Sequence, residues 1–413
     1  MSNTIIGEAV RRRLMAALFL AQSMFSAAQI AAFTLMPIIA AELSGTDTAA
    51  GVPSTLQQFG RGVAAYPVGW VMGRLGRRLG LSLGYLVAFA GSVLSVAAIV
   101  RGSFFWFTAA SLLLGMGRGV ADQSRYAAAD VYEPTRRARA ISLVVLAGTV
   151  GAVVGPALVT PSTRLAEQLD QNAMIGPFLI SALLSFVALI LIFSFLRPDP
   201  LQIAEREETG LEEAATQAVS LRGIFARRSV QLAVAALVIG QLVMTFVMVI
   251  TPLHMSHSGH GAGAISLVVM AHTLGMFGLS WGTGWLVDRL GPLVMLIIGG
   301  LVLALSAALT PLSTAVPLLA LALFLLGLGW NFCFIAGSQM LSLGIAPHER
   351  GKVQGASDTL VSAASAVGSL SVGVVFAQGG IVAVAAIGLA LSLVYVAASA
   401  WGSRHERRQM VVR

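Results

Sequence analysis

Gly69-Trp70-Val71-Met72-Gly73-Arg74-Leu75-Gly76-Arg77 and Gly284-Trp285-Leu286-Val287-Asp288-Arg289-Leu290-Gly291 are two copies of one short pattern, displaced by 215 positions. A second pair of segments repeats alongside them. Leu113-Leu114-Gly115-Met116-Gly117 matches Leu325-Leu326-Gly327-Leu328-Gly329 at a displacement of 212. Pro134, with the basic run that follows it, matches Pro347 in the same way. A chain duplicated over half its length, with basic turns at matching places, is what a transporter built from two parallel helical repeats looks like.

The composition around these repeats fits a membrane. The 413 residues are 57% hydrophobic and 11% charged, against roughly 45–50% apolar and about 25% charged in soluble domains. That excludes nucleic-acid binders, disordered chains and disulfide scaffolds. The single cysteine, Cys333, allows no intrachain disulfide. The first apolar stretch is too long for a signal-peptide core, so it reads as a retained span.

About 20 mostly apolar residues are needed to span a bilayer as a helix. Twelve stretches qualify: 14–41, 52–73, 79–100, 104–129, 139–161, 174–196, 229–254, 262–287, 293–311, 316–343, 354–377 and 380–401. The expected fold is therefore all-α: twelve transmembrane helices in two six-helix pseudo-symmetric bundles. The expected halves are residues 1–196 and 229–413, joined by a polar cytoplasmic linker over 197–228. With the N-terminus inside, inner segments carry 21 of the 26 Lys and Arg and outer loops carry two, Arg101 and Arg164. This positive-inside asymmetry places the chain in the cell's inner (plasma) membrane with both termini cytoplasmic.

These segments resemble the major facilitator superfamily over essentially the whole chain. The resemblance implies an inner-loop latch formed by Gly69, Arg74, Gly76 and Arg77 in the first copy and Gly284, Asp288, Arg289 and Gly291 in the second. Gly73 stands where the first copy would have the family's Asp. Gly151, Gly155 and Pro156 in the fifth span are similar to the Gly-Pro element of drug/proton antiporters; close helix packing explains the same residues.

Charges inside a span cost about 2.5–3.5 kcal/mol each on insertion scales, so they mark a site or a lock. Arg118, Asp122 and Arg125 follow one another at i, i+4 and i+7 on one helical face. Asp122 is expected to pair with both arginines, as a gating lock or a coupling group. Asp358 is expected to cap its helix or pair with an arginine near the inner face, or to take part in coupling.

The seventh span holds Met244-x3-Met248 and the eighth His272-x3-Met276. Each pair shares a helical face. At 1.5 Å rise per residue both pairs fall near mid-membrane. Three thioethers and an imidazole are a soft donor set that favours Cu(I); gap-filling methionine is the alternative. His254, Met255, His257 and His260 lie above, at the outer mouth, where they could pass a metal inward. The Met-x3-Met and His-x3-Met pair also resembles the CcoA-type copper importers of the superfamily. That resemblance implies metal binding by Met244, Met248, His272 and Met276.

Two functions follow. One is a secondary importer of copper for cytochrome oxidase assembly, with copper as transported substrate and no permanent cofactor. The other is a carrier of a small organic solute, riboflavin or a drug exchanged for protons. No nucleophile–base set suggests an enzyme. The expected partners are the lipid bilayer and the solute, with no nucleic acid, and the chain is expected to be a monomer.

Overall fold

The computed structural model of the chain describes residues 7–46, 49, 52–209, 221–260, 262–343 and 345–411. Their regular structure is entirely helical. The first six rods are α1 (Glu8–Ser44), α2 (Val52–Leu75), α3 (Arg77–Val100), α4 (Phe104–Ala121) continued by α5 (Ser124–Ala129), α6 (Arg137–Gln168) and α7 (Gly176–Phe195). Two short helices follow, α8 (Pro200–Thr209) and α9 (Leu221–Phe225). The next rods are α10 (Arg228–His257), α11 (Ala262–Thr273) continued by α12 (Ser280–Leu290), α13 (Pro292–Leu309) and α14 (Val316–Met340). The last, α15 (Pro347–Val411), is broken in two at Gly380, whose φ of 61° leaves the helical region.

Twelve rods result. Nine stretches among the described residues are long and apolar enough to cross a membrane. The other three have physical reasons for falling short. α2 carries Gln57, Gln58, Arg61 and Arg74. The rod of α11 and α12 is interrupted by a π-helical turn at Leu274–Gly278. The first part of α15 is rich in small and polar residues. Large apolar side chains such as Leu83, Leu183, Phe186, Ile190 and Trp281 are exposed, and a surface so covered suits acyl chains.

The chain forms two compact units. One holds Met1–Pro134, Ala147–Gln217 and Ile345–Ser362; the other holds Thr135–Leu146, Ala218–Gly344 and Ala363–Arg413. α6 and α15 thus each contribute to both.

In the first unit, α4 packs on α2 and α3, and α7 on α1 and α3. Met36, Ile39, Ile99, Phe107, Leu114 and Phe178 are buried together. Phe107 meets Phe178 edge-on at 5.6 Å. Ser92 and Ser181 share a buried hydrogen bond of 2.9 Å between α3 and α7. In the second unit, α14 is central and packs on α10, α11 and α13. Phe246, Ile250, Val372, Ile381 and Val384 make a second buried cluster.

Candidate functional site

The duplication is carried by backbone contacts inside each unit. In the first, a Cβ on Gly115 of α4 would run into the Gln57 carbonyl of α2, and one on Gly60 into the Leu112 carbonyl of α4. In the second, a Cβ on Gly327 of α14 would run into the His272 carbonyl of α11, and one on Gly275 into the Phe324 carbonyl of α14. The displacements of 215 and 212 connect these contacts position by position. Gln57 therefore corresponds to His272, Arg61 to Met276, and Gly119 to Asn331. The helix α1 corresponds to α10 at 215, with Pro37 against Pro252. The contact of Gly155 with Ile30 recurs as the contact of Gly368 with Thr245. Gln29 thus corresponds to Met244. Small residues at each crossing let these helices approach to backbone contact.

His272 is buried, with 3% of its surface exposed. Its Nδ1 lies 3.0 Å from the Leu323 carbonyl. A carbonyl only accepts, so Nδ1 carries the proton and Nε2 keeps its lone pair, the arrangement that prepares an imidazole for a metal. Met244, Met248 and Met276 are half-buried. Spacing alone reads the eighth span as one regular helix. The structure instead puts Met276 within the π turn. π turns leave backbone carbonyls in need of partners and recur at functional sites. Here Asn331 of α14, fully buried, donates to the Met276 carbonyl at 2.6 Å and to Ser280 Oγ at 2.9 Å, and accepts from Thr283 Oγ1 at 2.6 Å. The sequence marks Asn331 only as one polar residue among several. Its role as the clamp on this turn needs the fold.

A polar and aromatic group joins α10, α14 and α15. Trp330 Nε1 donates to Gln241 Oε1 at 3.1 Å, and its ring stacks on Phe334 with centroids 4.5 Å apart. Thr245 and Ser365 hydroxyls are 3.3 Å apart. Cys333 is buried where α10 and α13 approach α14 at Gly240 and Gly299; its thiol packs against those glycines.

In the first unit, the charges pair differently from their sequence spacing. Asp122 is expected to engage Arg118 and Arg125, but its ion pair runs to Arg61 of α2 at 2.8 Å. For Arg125 the reason is a break: α4 ends at Ala121 and α5 begins at Ser124. Arg118 stays one intact turn before Asp122 and acts on it electrostatically without an ion pair. Arg125 turns to the Asp358 carboxylate and the Asp122 carbonyl and stacks on Tyr126 at 4.3 Å. Asp358 is thus an ion-pair partner rather than a cap.

The outer histidines do not form one ligand set. Among the described residues, no three His, Cys, Asp or Glu are arranged to hold a metal. His260 bonds the Thr314 carbonyl at 2.7 Å, while His254 and His257 face Phe376 at 6.4 and 6.1 Å. Met255 is fully buried.

The latch positions repeat geometrically. Arg74 lies over Trp70 at 4.2 Å and Arg289 over Trp285 at 5.2 Å. Gly76 (φ 95°) and Gly291 (φ 87°) turn the chain into the next helix, a conformation that suits glycine. Asp288 accepts from the Ala138 and Arg139 amides at 3.2 and 3.3 Å, capping α6, and Gly284 meets Ser142 there. In the first copy Asp199 caps α3 through the Arg77 and Arg78 amides, each 3.0 Å away. The Arg77 side chain is paired with Asp130 at 2.8 Å, and Asp130 also binds Arg350 at 3.1 Å. Gly69 meets the Gly351 carbonyl, and Gly151 packs on Ser26. The Pro156 ring lies outside the described residues.

Two six-helix repeats with buried charge in their spans define a helical secondary transporter. The profile of the Major Facilitator Superfamily matches residues 18–369, and the chain belongs to that superfamily, whose members are transporters rather than enzymes. The chain is similar to the uncharacterized MFS-type transporter YdeG of Bacillus subtilis, at 35% identity over 91% of this chain and 89% of that one. It is similar to the riboflavin transporter RfnT of Brucella anthropi, at 32% identity over 88% of each. Among solved structures, the human organic anion transporter MFSD10 and a bacterial homologue of the iron transporter ferroportin each superpose with a TM-score of 0.74. Each is 16% identical, over 94% of this chain and 99% of the other.

Proposed function

We propose that this chain is an inner-membrane secondary importer of copper, with Cu(I) as the transported ion and Met244, Met248, His272 and Met276 as its ligands. The observation that carries the reading is the correspondence of Met244 and His272 with Gln29 and Gln57. In the first repeat Gln57 donates to Gln29 at 3.0 Å. Residues at those two positions touch, so their counterparts Met244 and His272 are expected to face each other too. The donor set is soft and uncharged, which suits Cu(I) rather than zinc or hard cations. The lone pair on His272 Nε2 is the nitrogen ligand, and the Asn331 clamp fixes the turn that carries Met276. Alternating access moves the ion inward as the two repeats rock, and both termini lie in the cytoplasm by the distribution of basic residues.

A second reading has its own support. The relative RfnT is named a riboflavin transporter, and the stack of Trp330 on Phe334 beside Gln241 offers an aromatic face and an amide to a planar heterocycle. One experiment separates the two. Cells lacking their own importers, expressing this chain, are given radiolabelled copper and radiolabelled riboflavin in parallel. Copper accumulation lost in His272→Ala supports the first reading. Riboflavin accumulation with unchanged copper content overturns it in favour of the second.

A further inference from the structure

Six groups in the first unit act on one another inside the span region: Arg61 of α2, Tyr85 of α3, Arg118 and Asp122 at the end of α4, Arg125 of α5 and Asp358 of α15. Three are cations and two are anions. Arg61 is committed to Asp122 and Arg125 to Asp358. Arg118 makes no hydrogen bond or ion pair with any described residue. It feels Asp122 at a distance, an attraction opposed by the like charge of Arg61. The residue is partly exposed. Tyr85 is a second incomplete group: fully buried, within electrostatic range of Asp122, with a hydroxyl that has no hydrogen-bond partner.

A surplus cation in a membrane span is costly unless something offsets it. We infer that this cluster is a binding site for one carboxylate of a small solute, received by Arg118 beside the Arg61–Asp122 pair. The surplus is one positive charge, which matches a carboxylate rather than a phosphate monoester carrying nearly two negative charges. The guanidinium fork matches a carboxylate geometrically and bonds it in bidentate fashion. Arg61 and Arg125 already bind carboxylates within the same cluster. The site shares no residue with the methionine–histidine group, so its success or failure is independent of the copper reading.

The test is calorimetric titration of the purified full chain in lipid nanodiscs at constant ionic strength. The probes are sodium benzoate, its neutral analogue benzyl alcohol, phenyl phosphate and sodium chloride. Benzoate is expected to bind, while benzyl alcohol and chloride give no saturable heat. Arg118→Gln is expected to weaken benzoate about tenfold or more, the size of one charge-assisted hydrogen bond. Arg118→Lys keeps the charge without the bidentate fork and is expected to bind benzoate more weakly than the parent but better than Arg118→Gln, which controls for folding. Asp122→Asn raises the surplus to two and is expected to shift preference toward phenyl phosphate. No benzoate binding by the parent, or equal binding by Arg118→Gln, overturns the proposal, as does Arg118→Lys binding no better than Arg118→Gln. Phenyl phosphate binding the parent more tightly than benzoate overturns the carboxylate assignment.

Discussion

Gln57 of α2 donates a hydrogen bond to Gln29 of α1 across 3.0 Å of buried space. The residues at the same two positions of the second repeat are His272 and Met244. One copy of the duplication keeps a pair of amides joined by that bond. The other carries an imidazole and a thioether, which suit a soft metal.

If that correspondence holds in contact as well as in register, restoring the amides should abolish transport and spare the fold. The double variant Met244→Gln/His272→Gln is expected to reach the membrane at parental level and to accumulate no copper. Radiocopper uptake normalised to protein amount checks this. Uptake equal to the parent would remove both residues from the site.

Asn331 makes three buried hydrogen bonds at the π turn. Asn331→Leu leaves the Met276 carbonyl and the Ser280 and Thr283 hydroxyls without that partner. Unsatisfied buried groups cost about 1–3 kcal/mol each. Thermal unfolding of the purified variant is expected at a clearly lower temperature, together with reduced solute uptake. An unchanged midpoint would mean that the turn does not depend on the clamp.

Asp130 stands between Arg77 and Arg350, all three almost without exposed surface. Asp130→Asn removes the carboxylate charge that the buried Arg77 and Arg350 share. Breaking a buried pair of this kind costs about 3–5 kcal/mol. The variant is expected to lose its monodisperse size-exclusion peak in mild detergent. The same peak as the parent would show that the cations find another counter-charge.

Asp122→Asn releases Arg61 from its ion pair. The variant is expected to transport more slowly than the parent while its equilibrium affinity for copper in detergent stays the same, because the pair and the methionine–histidine group lie in different units. A normal rate would remove Asp122 from the transport cycle.

Gly115→Leu and Gly327→Leu each drive a side chain into a carbonyl of the neighbouring helix. Both are expected to abolish accumulation of intact protein, measured by immunoblot of membranes. Alanine already clashes there, so Gly→Ala is expected to lower accumulation too, by less.

Much of this was legible from one dimension. The long apolar stretches fixed a membrane protein, because no soluble core could absorb 57% hydrophobic residues. The 215 and 212 displacements announced two repeats, and the i, i+4 spacing singled out Met244, Met248, His272 and Met276. Periodicity and composition are local properties, and each of these readings is local. The partner of Asp122 was not legible. Spacing compares positions along one helix, whereas the carboxylate's ion-pair partner is Arg61 of α2, sixty-one positions earlier in the chain. Nor was the tautomer of His272, which depends on a carbonyl of α14, or the clamp by Asn331. Side chains on different helices meet only when packing brings their backbones together. Sequence sets what each helix can offer, and tertiary structure decides which offers are answered.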